Sequence, residues 1–260
     1  MQNSYRMISV EKEDNFSIVT LERAKEMNAL CQEMQWELID CFDLMEVDDS
    51  IRAVVLTGGD YIFSAGIDLK ELADLSGSKL DDYIKSMIKY LQKIYAFKKP
   101  VIAAVSGIAL GGGFNLATVC DLIIASETAI FGHPELRFGL NPLFDPLRRI
   151  VGTAKAKELT MLGEPIGAKE ALRIGLVNKV LPPEEFMEGA KAVARELASK
   201  PTRAIEAVKR LSDIVPRLDK NTALEYEFEI TALLFSRSER REYMEKFLEE
   251  LRQRKEKERR

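Results

Sequence analysis

The sequence has few of the residues from which many enzyme sites are built. Among its 260 residues there are one histidine, His133, three cysteines and one tryptophan. A single histidine argues against a metal site made of histidines and against most Ser-His-Asp hydrolases. The cysteines, Cys31, Cys41 and Cys120, show no metal-ligand spacing and are odd in number. This favours buried thiols in a reducing compartment over disulfides.

Strong net charge and long apolar runs are also missing. The 38 basic and 42 acidic residues give a formal net charge of −4, which points to neither a nucleic-acid nor a membrane partner. No apolar run approaches the roughly 18 residues of a membrane span. The N-terminal stretch MQNSYRMISVEKEDN lacks the apolar centre of a signal peptide. We therefore expect a cytoplasmic protein.

Buried strands alternate with amphipathic helices through most of the chain, which predicts an α/β fold. After Pro182 and Pro183 the pattern changes to helices only. We therefore predict a core over residues 1–200 and a C-terminal helical subdomain over 201–260. The predicted strands of the core include 7–11, 16–21, 51–57, 101–105, 122–125, 129–131 and 175–180.

Helices of the core are predicted from apolar periodicity. Residues recurring from Leu30 to Met45 give one helix an apolar face. A second helix over 80–97 is predicted to bury Ile84, Met87, Leu91 and Ile94, and further helices are predicted over 153–162 and 168–173. Between the first two, Asp68 and Glu71 have the spacing of a capping box at a helix start.

The stretch KPVIAAVSGIALGGGFNLATVCD joins a buried strand, a glycine turn and a short helix. Such a turn brings backbone N–H groups together at the positive end of a helix dipole, where a negative oxygen can be held. A tight turn packed under a core helix is the alternative. A second strand-turn-helix passage surrounds Ala65 and Gly66.

Five blocks of the sequence form a wider pattern: ERAKEMNAL, FSAGIDLKEL, the stretch just quoted, FGHPELRFGL and GEPIGAKEALRIGLVNKV. In order and spacing they resemble the crotonase superfamily, the enoyl-CoA hydratase/isomerase family. The resemblance implies a crotonase-like spiral of ββα units with a C-terminal helical trimerisation region, assembled as a homotrimer or a dimer of trimers. It also implies acyl thioesters of coenzyme A as substrates, with coenzyme A part of the substrate and no metal or redox cofactor.

The resemblance places an oxyanion hole on the backbone amides of Ile67 and Gly112. Of the family's two catalytic carboxylates, one is Glu135, whereas the other position holds Asn115. An amide can orient water but cannot accept its proton near neutral pH. A single carboxylate suits the movement of one proton between two carbons. We therefore predict an enoyl-CoA isomerase-type double-bond shift with Glu135 as the acid/base.

The segment NPLFDPLRR also departs from the family, because hydratases usually have a loop of small residues here. Leu143 and Phe144 are expected to change the wall of the acyl pocket. Asp145 is a candidate second carboxylate, although it could instead cap the helix behind Pro146.

The remaining predicted site residues concern coenzyme A and the surroundings of Glu135. Lys25 is expected near the nucleotide end, and 65–70 near adenine and pantetheine, with Lys70 as a phosphate contact. A C-terminal lysine typical of the family is replaced by Glu250, which leaves Arg252 or Lys246 as substitutes. The predicted substrate-binding set is Lys25, Ala65, Gly66, Asp68, Leu69, Lys70, Gly111, His133, Leu143 and Phe144.

Two other functions stay open at this point. One is an enoyl-CoA hydratase, a lyase, acting on an enoyl- or cyclic dienoyl-CoA, with Asn115 positioning water and Glu135 or Asp145 transferring protons. The other is a non-catalytic relative that binds coenzyme A or RNA, supported only by the basic C-terminus. The acidic helix around WELIDCFDLMEVDD argues against RNA binding.

Overall fold

A computed structural model describes residues 5–236 and 239–258 of the chain. Its contacts divide the chain into two compact units, 1–198 and 199–260. The predicted roles of the two segments stay predictions. The strands of the first unit are β1 (Ile8–Glu13), β2 (Phe16–Leu21), β3 (Ala53–Thr57), β4 (Val101–Val105), β5 (Ile108–Leu110), β6 (Leu122–Ser126), β7 (Ile130–Gly132), β8 (Ile166–Gly167) and β9 (Lys179–Leu181).

A six-stranded sheet in the order β1-β2-β3-β4-β6-β9 forms the centre of the first unit. β1 and β2 make an antiparallel hairpin. The neighbours β2-β3, β3-β4, β4-β6 and β6-β9 all pair in parallel. Every residue of β3 and β4 is buried. This agrees with the prediction of strands covered on both faces, because apolar runs without alternation are typical of such strands. The mixed α/β architecture predicted from the sequence is therefore confirmed.

The helices of the first unit lie between and after these strands. The predicted inner face of the second long helix is wrong in part, because Tyr83 and Tyr90 are buried whereas Ile84 is 44% exposed. The predicted helix over 153–162 begins earlier, at Asp145, and is interrupted by non-helical backbone at Gly152. The helices are α1 (Gln32–Val47), α2 (Leu69–Ala73), α3 (Ser78–Tyr95), α4 (Gly112–Thr118), α5 (Asp145–Leu162), α6 (Ala168–Arg173) and α7 (Phe186–Ser199).

The two faces of the central sheet carry separate apolar clusters. Val54 and Leu56 of β3 face the larger cluster, which includes buried residues of α1, α3 and α4. Ala53 and Val55 face the smaller cluster, in which α7 packs Phe186 and three alanines. Successive side chains of a strand point to opposite faces, so one five-residue strand joins both clusters. This core fixes the strand ends from which the loops of the candidate site leave.

A small second sheet, in the order β5-β7-β8, lies next to the glycine turn. β5 pairs in parallel with β7, so that Leu110 lies beside Gly132. The sequence pattern predicted β7 over 129–131 but did not predict β5 or β8, which are three and two residues long. This pairing brings the glycine turn that follows β5 next to the segment that follows β7.

The second unit is built from α8 (Thr202–Ile214), α9 (Lys220–Phe235) and α10 (Glu239–Glu258). Asp219 caps α9 by accepting hydrogen bonds from the amides of Asn221 and Thr222. Apolar side chains of this unit, among them Leu234, Phe235 and Phe247, line an open pocket of about 420 Å³. In the described ranges, no helix is both long and apolar enough to span a bilayer.

Candidate active site

The turn between Ser64 and α2 is clamped to the loop before α1. The Ser64 hydroxyl donates to the Asn28 carbonyl over 2.8 Å and accepts from the Gly66 amide over 3.2 Å. The Leu30 amide donates to the Gly66 carbonyl over 2.8 Å. These bonds hold the backbone of Ile67, whose own amide has no acceptor in the described part of the chain. The turn therefore presents a free N–H group near the start of α2.

The glycine turn presents a second amide. Gly111 has a φ of 50°, a conformation that glycine adopts without strain. Its amide donates to the Gly132 carbonyl over 2.9 Å, and its carbonyl accepts from Asn115 as α4 begins. Gly112 is the first residue of α4, and among the described residues its amide also finds no acceptor. The first amides of a helix have no partner within the helix and are available to a ligand.

The two free amides lie side by side. A Cβ atom placed on Gly112 would lie 3.1 Å from the Ile67 nitrogen, and one placed on Gly66 would lie 3.0 Å from the Gly112 nitrogen. Two N–H groups at two helix starts form a suitable cradle for an oxygen that gains negative charge. The structure thus brings together the two residues predicted as an oxyanion hole, although their role stays a prediction.

The Glu135 side chain lies next to the glycine turn. It begins the 3₁₀ turn Glu135–Phe138, and its side chain is 12% exposed. Its Oε1 atom lies 3.5 Å from the position that a Cβ atom on Gly111 would take. A side chain at Gly111 would therefore contact the carboxylate directly. This arrangement sets a carboxylate next to the paired amides.

His133 contacts Glu135 from within the core. Its Nδ1 atom lies 3.1 Å from Oε1 and 3.2 Å from Oε2 of Glu135. The imidazole is buried and stacks on Phe114, with ring centroids 4.6 Å apart. Its Nε2 atom is buried, and no described residue forms a hydrogen bond to it. The structure therefore places the His133 imidazole in direct contact with the Glu135 carboxylate.

Asn115 lies one turn along α4 from Gly111 and Gly112. Positions three and four residues apart share one side of a helix, so Asn115 projects on the side of the turn. Its Oδ1 atom is buried and accepts no hydrogen bond from any described residue. A buried carbonyl oxygen of this kind needs a donor, because leaving it unpaired is costly. The site therefore contains one carboxylate, one unpaired amide oxygen and two free N–H groups.

An ion pair that the sequence analysis missed supports the first turn. Arg23 contacts Asp68 with an Nη2–Oδ2 distance of 3.0 Å, and Nη1 of Arg23 donates to the Ala29 carbonyl. Asp68 also caps α2 by accepting from the amides of Lys70 and Glu71, both over 3.1 Å. Burial raises the pKa of Asp68, but the Glu71 amide and the Arg23 guanidinium outweigh it and hold the pKa below its usual value.

The predicted capping box is only half present. The Glu71 carboxylate does not accept a hydrogen bond from the Asp68 amide. Its Oε2 atom instead accepts from the Gln32 amide over 2.9 Å, at the start of α1. Arg23 belongs to the block ERAKEMNAL, yet nothing in that block indicates a partner 45 residues away. The Asp68 carboxylate, predicted to bind substrate, is used here within the protein.

Asp145 forms ion pairs with two arginines. Its carboxylate lies 2.6 Å from Arg148 and 2.7 Å from Arg149, and its side chain is 48% exposed. The Arg149 hydrogen bond is the main reason why the pKa of Asp145 is lowered. The alternative that Asp145 caps the helix is wrong, because Phe144 occupies the cap position and Asp145 is already helical. A strongly ionised carboxylate paired with arginines is a poor proton donor, and its predicted role as a second carboxylate stays untested.

The other predicted residues spread over several surfaces. Lys25 is exposed on the short turn Ala24–Glu26, and Leu69 and Lys70 are exposed at the start of α2. Ala65 and Leu143 are half-buried, and half-buried Phe144 packs against the larger core cluster. On α10, Lys246 is exposed and Arg252 pairs with Glu249 over 3.7 Å.

Known proteins resemble the chain over nearly its whole length. A sequence profile described as enoyl-CoA hydratase/isomerase matches residues 11–257. The crotonyl-CoA hydratase of Syntrophomonas wolfei is 37% identical over 250 residues, covering 95% of this chain and 96% of that protein. The short-chain-enoyl-CoA hydratase of Clostridium acetobutylicum is 37% identical over 246 residues, covering 93% and 94%. The solved enoyl-CoA hydratase of Bacillus anthracis superposes with a TM-score of 0.90 at 31% identity, covering 94% and 97%.

The fold and the paired amides define a crotonase-fold protein. The chain belongs to the enoyl-CoA hydratase/isomerase family, as the sequence motifs predicted. Both of these relatives are named hydratases, which favours hydration over the isomerisation predicted from the sequence. Within the described ranges, no group of three or more histidine, cysteine, aspartate or glutamate side chains could hold a metal ion.

Proposed function

We propose that this protein adds water to the double bond of an enoyl-CoA thioester. The convergence of the free Ile67 and Gly112 amides beside Glu135 carries the proposal. The thioester oxygen binds between the two amides, which stabilise the enolate that forms when a nucleophile attacks C3. The loss of one such donor typically costs about 3–4 kcal/mol of transition-state stabilisation. The hydratase names of two relatives at 37% identity support this reaction.

One carboxylate is sufficient for the proton balance of hydration. Glu135 accepts a proton from water while the water oxygen bonds to C3, and the electron pair of the double bond moves to the thioester oxygen. The protonated Glu135 then returns that proton to C2 as the carbonyl reforms. The product is a 3-hydroxyacyl-CoA that has gained one water molecule. A second carboxylate is not needed, because the same group acts first as base and then as acid.

Asn115 orients the attacking water in this proposal. Its buried Oδ1 atom lacks a donor among the described residues, and Asn115 lies one turn of α4 away from the glycine turn. A water that donates one hydrogen to Asn115 and the other to Glu135 has its lone pairs directed elsewhere, toward the substrate. An amide acts here only as an acceptor, which is within its chemistry.

The proposal is tested with Glu135→Gln and a crotonyl-type enoyl-CoA in oxygen-18 water. The parent protein should form labelled 3-hydroxyacyl-CoA. Glu135→Gln should lower kcat by about 100-fold or more, because the amide cannot carry the proton. The exposed Glu127→Gln is the matched control and should keep the parent rate. A parent protein that forms no labelled product from any enoyl-CoA would contradict the proposal.

Isomerisation is the second candidate, and Asn115 is the observation that favours it. In that reaction Glu135 removes a proton from C2 of a 3-enoyl-CoA and returns it to C4, and no water is oriented. Asn115→Ala separates the candidates, because it should lower hydration by roughly 10-fold while leaving isomerisation nearly unchanged. Asn115→Asp should recover hydration. Asn221→Ala, an exposed change in α9, controls for the substitution itself.

We further propose that coenzyme A is recognised as part of the substrate, with no additional cofactor. Exposed Lys25 and Lys70 can contact its phosphates, since the Arg23–Asp68 pair brings their two segments together. Lys25→Ala and Lys70→Ala should each raise KM several-fold with little change in kcat, because they act on binding alone. Equal KM values for the parent and both variants would contradict this assignment.

The oligomeric state is also part of the proposal. Val208, Leu224, Phe228 and Phe235 of the C-terminal unit are each more than half exposed. Apolar surface of this extent usually marks an interface. We propose a homotrimer or a dimer of trimers, and sedimentation should give three or six times the chain mass. Sedimentation as a monomer at micromolar concentration would exclude both.

A further inference from the structure

We propose that His133 is the positioning residue of Glu135, acting as a neutral imidazole that carries its proton on Nδ1. The inference rests on the proposed function only in treating Glu135 as the proton carrier. It goes further by naming which nitrogen holds the proton and what that proton does to the carboxylate.

The tautomer follows from the surroundings of the two ring nitrogens. Nδ1 faces both oxygens of Glu135, at 3.1 and 3.2 Å, whereas Nε2 is buried with no partner among the described residues. A proton on Nε2 would leave a buried donor unpaired and set the Nδ1 lone pair against the carboxylate. A proton on Nδ1 makes a charge-assisted hydrogen bond and leaves only an acceptor unpaired. The Nδ1–H form is therefore the stable neutral tautomer.

The ring is held so that this donor cannot turn away. The His133 side chain is buried and stacks on Phe114, with an interplanar angle of 31°. The Gly111 amide donates to the carbonyl of Gly132, the residue immediately before His133. This hydrogen bond ties the His133 segment to the glycine turn. The donor thus has a fixed position relative to the paired amides.

A fixed donor determines where the proton of Glu135 can reside. When Glu135 accepts a proton from substrate or water, an oxygen that accepts from Nδ1–H cannot readily donate in the same direction. The acquired proton is therefore directed away from the imidazole. The Glu135 side chain is 12% exposed and the imidazole is fully buried, so reactants approach the carboxylate from a side that the imidazole does not cover. His133 thereby makes one carboxylate serve as both base and acid with a defined orientation.

The tautomer can be measured without any activity assay. His133 is the only histidine of the chain, so nitrogen-15 histidine labelling gives a single ring spin system. We expect the two-bond correlation pattern of the neutral Nδ1–H tautomer at pH 8. The neutral Nε2–H tautomer or an imidazolium would overturn the proposal. This result is independent of whether the protein hydrates or isomerises, so failure of the proposed function is recognised separately.

Kinetics of two variants separate positioning from packing. In His133→Asn the amide nitrogen takes the place of Nδ1 but part of the ring volume is lost; in His133→Leu the space is better filled but no donor remains. We expect His133→Leu to lower kcat by about 10- to 100-fold with KM unchanged, and His133→Asn to stay within about 5-fold of the parent. If His133→Leu were the more active of the two, packing alone would explain His133 and the proposal would fail. Both variants are compared only after their thermal unfolding shows a folded protein.

Discussion

The two turns that present the paired amides differ in what mainly holds them in place. The turn at 64–68 depends on polar side chains, namely the Ser64 hydroxyl and the Arg23–Asp68 ion pair. The glycine turn depends on missing side chains, because a Cβ atom on Gly113 would lie 2.3 Å from the Ser64 carbonyl oxygen. The first turn is tied mainly by side-chain hydrogen bonds, although Gly66 within it also leaves no room for a Cβ atom, which would lie 2.8 Å from the Leu110 carbonyl oxygen. The second turn is held by backbone hydrogen bonds and by close backbone contact with the first.

This difference predicts different responses to mutation. A network of hydrogen bonds can lose one member and keep its shape through the others. A close backbone contact cannot tolerate a comparable change, because an added atom must push one turn away from the other. The distance between the Ile67 and Gly112 amides is therefore most sensitive to changes at the glycines and least sensitive to changes at the ion pair.

The largest effect is expected for Gly113→Ala. Its methyl group would meet the Ser64 carbonyl oxygen at 2.3 Å and the Ser64 Cβ atom at 2.7 Å, so the turns must separate. We expect kcat to fall by at least about 1,000-fold, since both amides leave their places. The free energy of unfolding should fall by about 1–3 kcal/mol, the usual cost of overpacking. Gly167→Ala, where an added Cβ has no atom within 4 Å, is the matched control. Near-parent activity of Gly113→Ala would show that the contact is not needed.

Gly112→Ala should affect activity without a matching loss of stability. Gly112 does not have a positive φ, and alanine is a better helix former than glycine. The added methyl, however, would lie 3.1 Å from the Ile67 nitrogen, within the space proposed for the thioester oxygen. We expect kcat to fall by about 100- to 1,000-fold while the unfolding free energy stays within about 1 kcal/mol. Equal losses of activity and stability would mean that the variant distorts the turn instead.

Ser64→Ala tests the first turn. The substitution removes the donor to the Asn28 carbonyl and the acceptor of the Gly66 amide, and leaves buried groups unpaired. We expect a destabilisation of about 1–3 kcal/mol and a decrease in kcat of roughly 10-fold, smaller than for either glycine. The control is the exposed Ser212→Ala, which also removes a hydroxyl that donates to a backbone carbonyl. A loss of activity as large as that of Gly113→Ala would contradict the proposed contrast.

The sequence predicted the turns much better than it predicted what holds them. Glycine runs and buried strands are local patterns, so α4, Gly112 and Ile67 could be placed from periodicity and resemblance. The Arg23–Asp68 pair and the Ser64–Asn28 bond join segments about 36 to 45 residues apart, and no local pattern indicates them. The core-facing tyrosines of α3 were missed for a related reason. Tyr83 is buried, and its hydroxyl finds a partner there in the distant Leu30 carbonyl.

Glu135 and His133 show the same limit at the site itself. Both residues could be picked out in the block FGHPELRFGL. In an irregular segment, however, side chains separated by two positions need not face each other. The contact depends on β7 ending at Gly132 beside the glycine turn, and β5, the strand that pairs with β7 there, was not predicted. Tertiary pairing, which short strands do not reveal in sequence, determined the geometry.

The smallest effect on activity is expected for Asp68→Asn, because asparagine can still cap α2 and only the ion pair with Arg23 is lost. We expect kcat to change by no more than about 3-fold. The free energy of unfolding at pH 6 should fall by about 1–2 kcal/mol, because a partly buried arginine loses the carboxylate that balances its charge. The exposed Asp81→Asn serves as the control and should match the parent protein.

The pH dependence of this variant gives the sharper test. The pKa of Asp68 in the folded protein lies below the value of about 3.9 expected in the unfolded chain. Between these two values the unfolded state binds more protons, so the stabilisation is complete above about pH 5 and is lost as the pH falls through the folded pKa. The difference between parent and Asp68→Asn in urea unfolding should therefore be constant from pH 6 to 5 and shrink toward pH 3. A difference that persists unchanged at pH 3 would show that Asp68 holds the first turn through shape and not through charge, and the two turns would then be held by similar means.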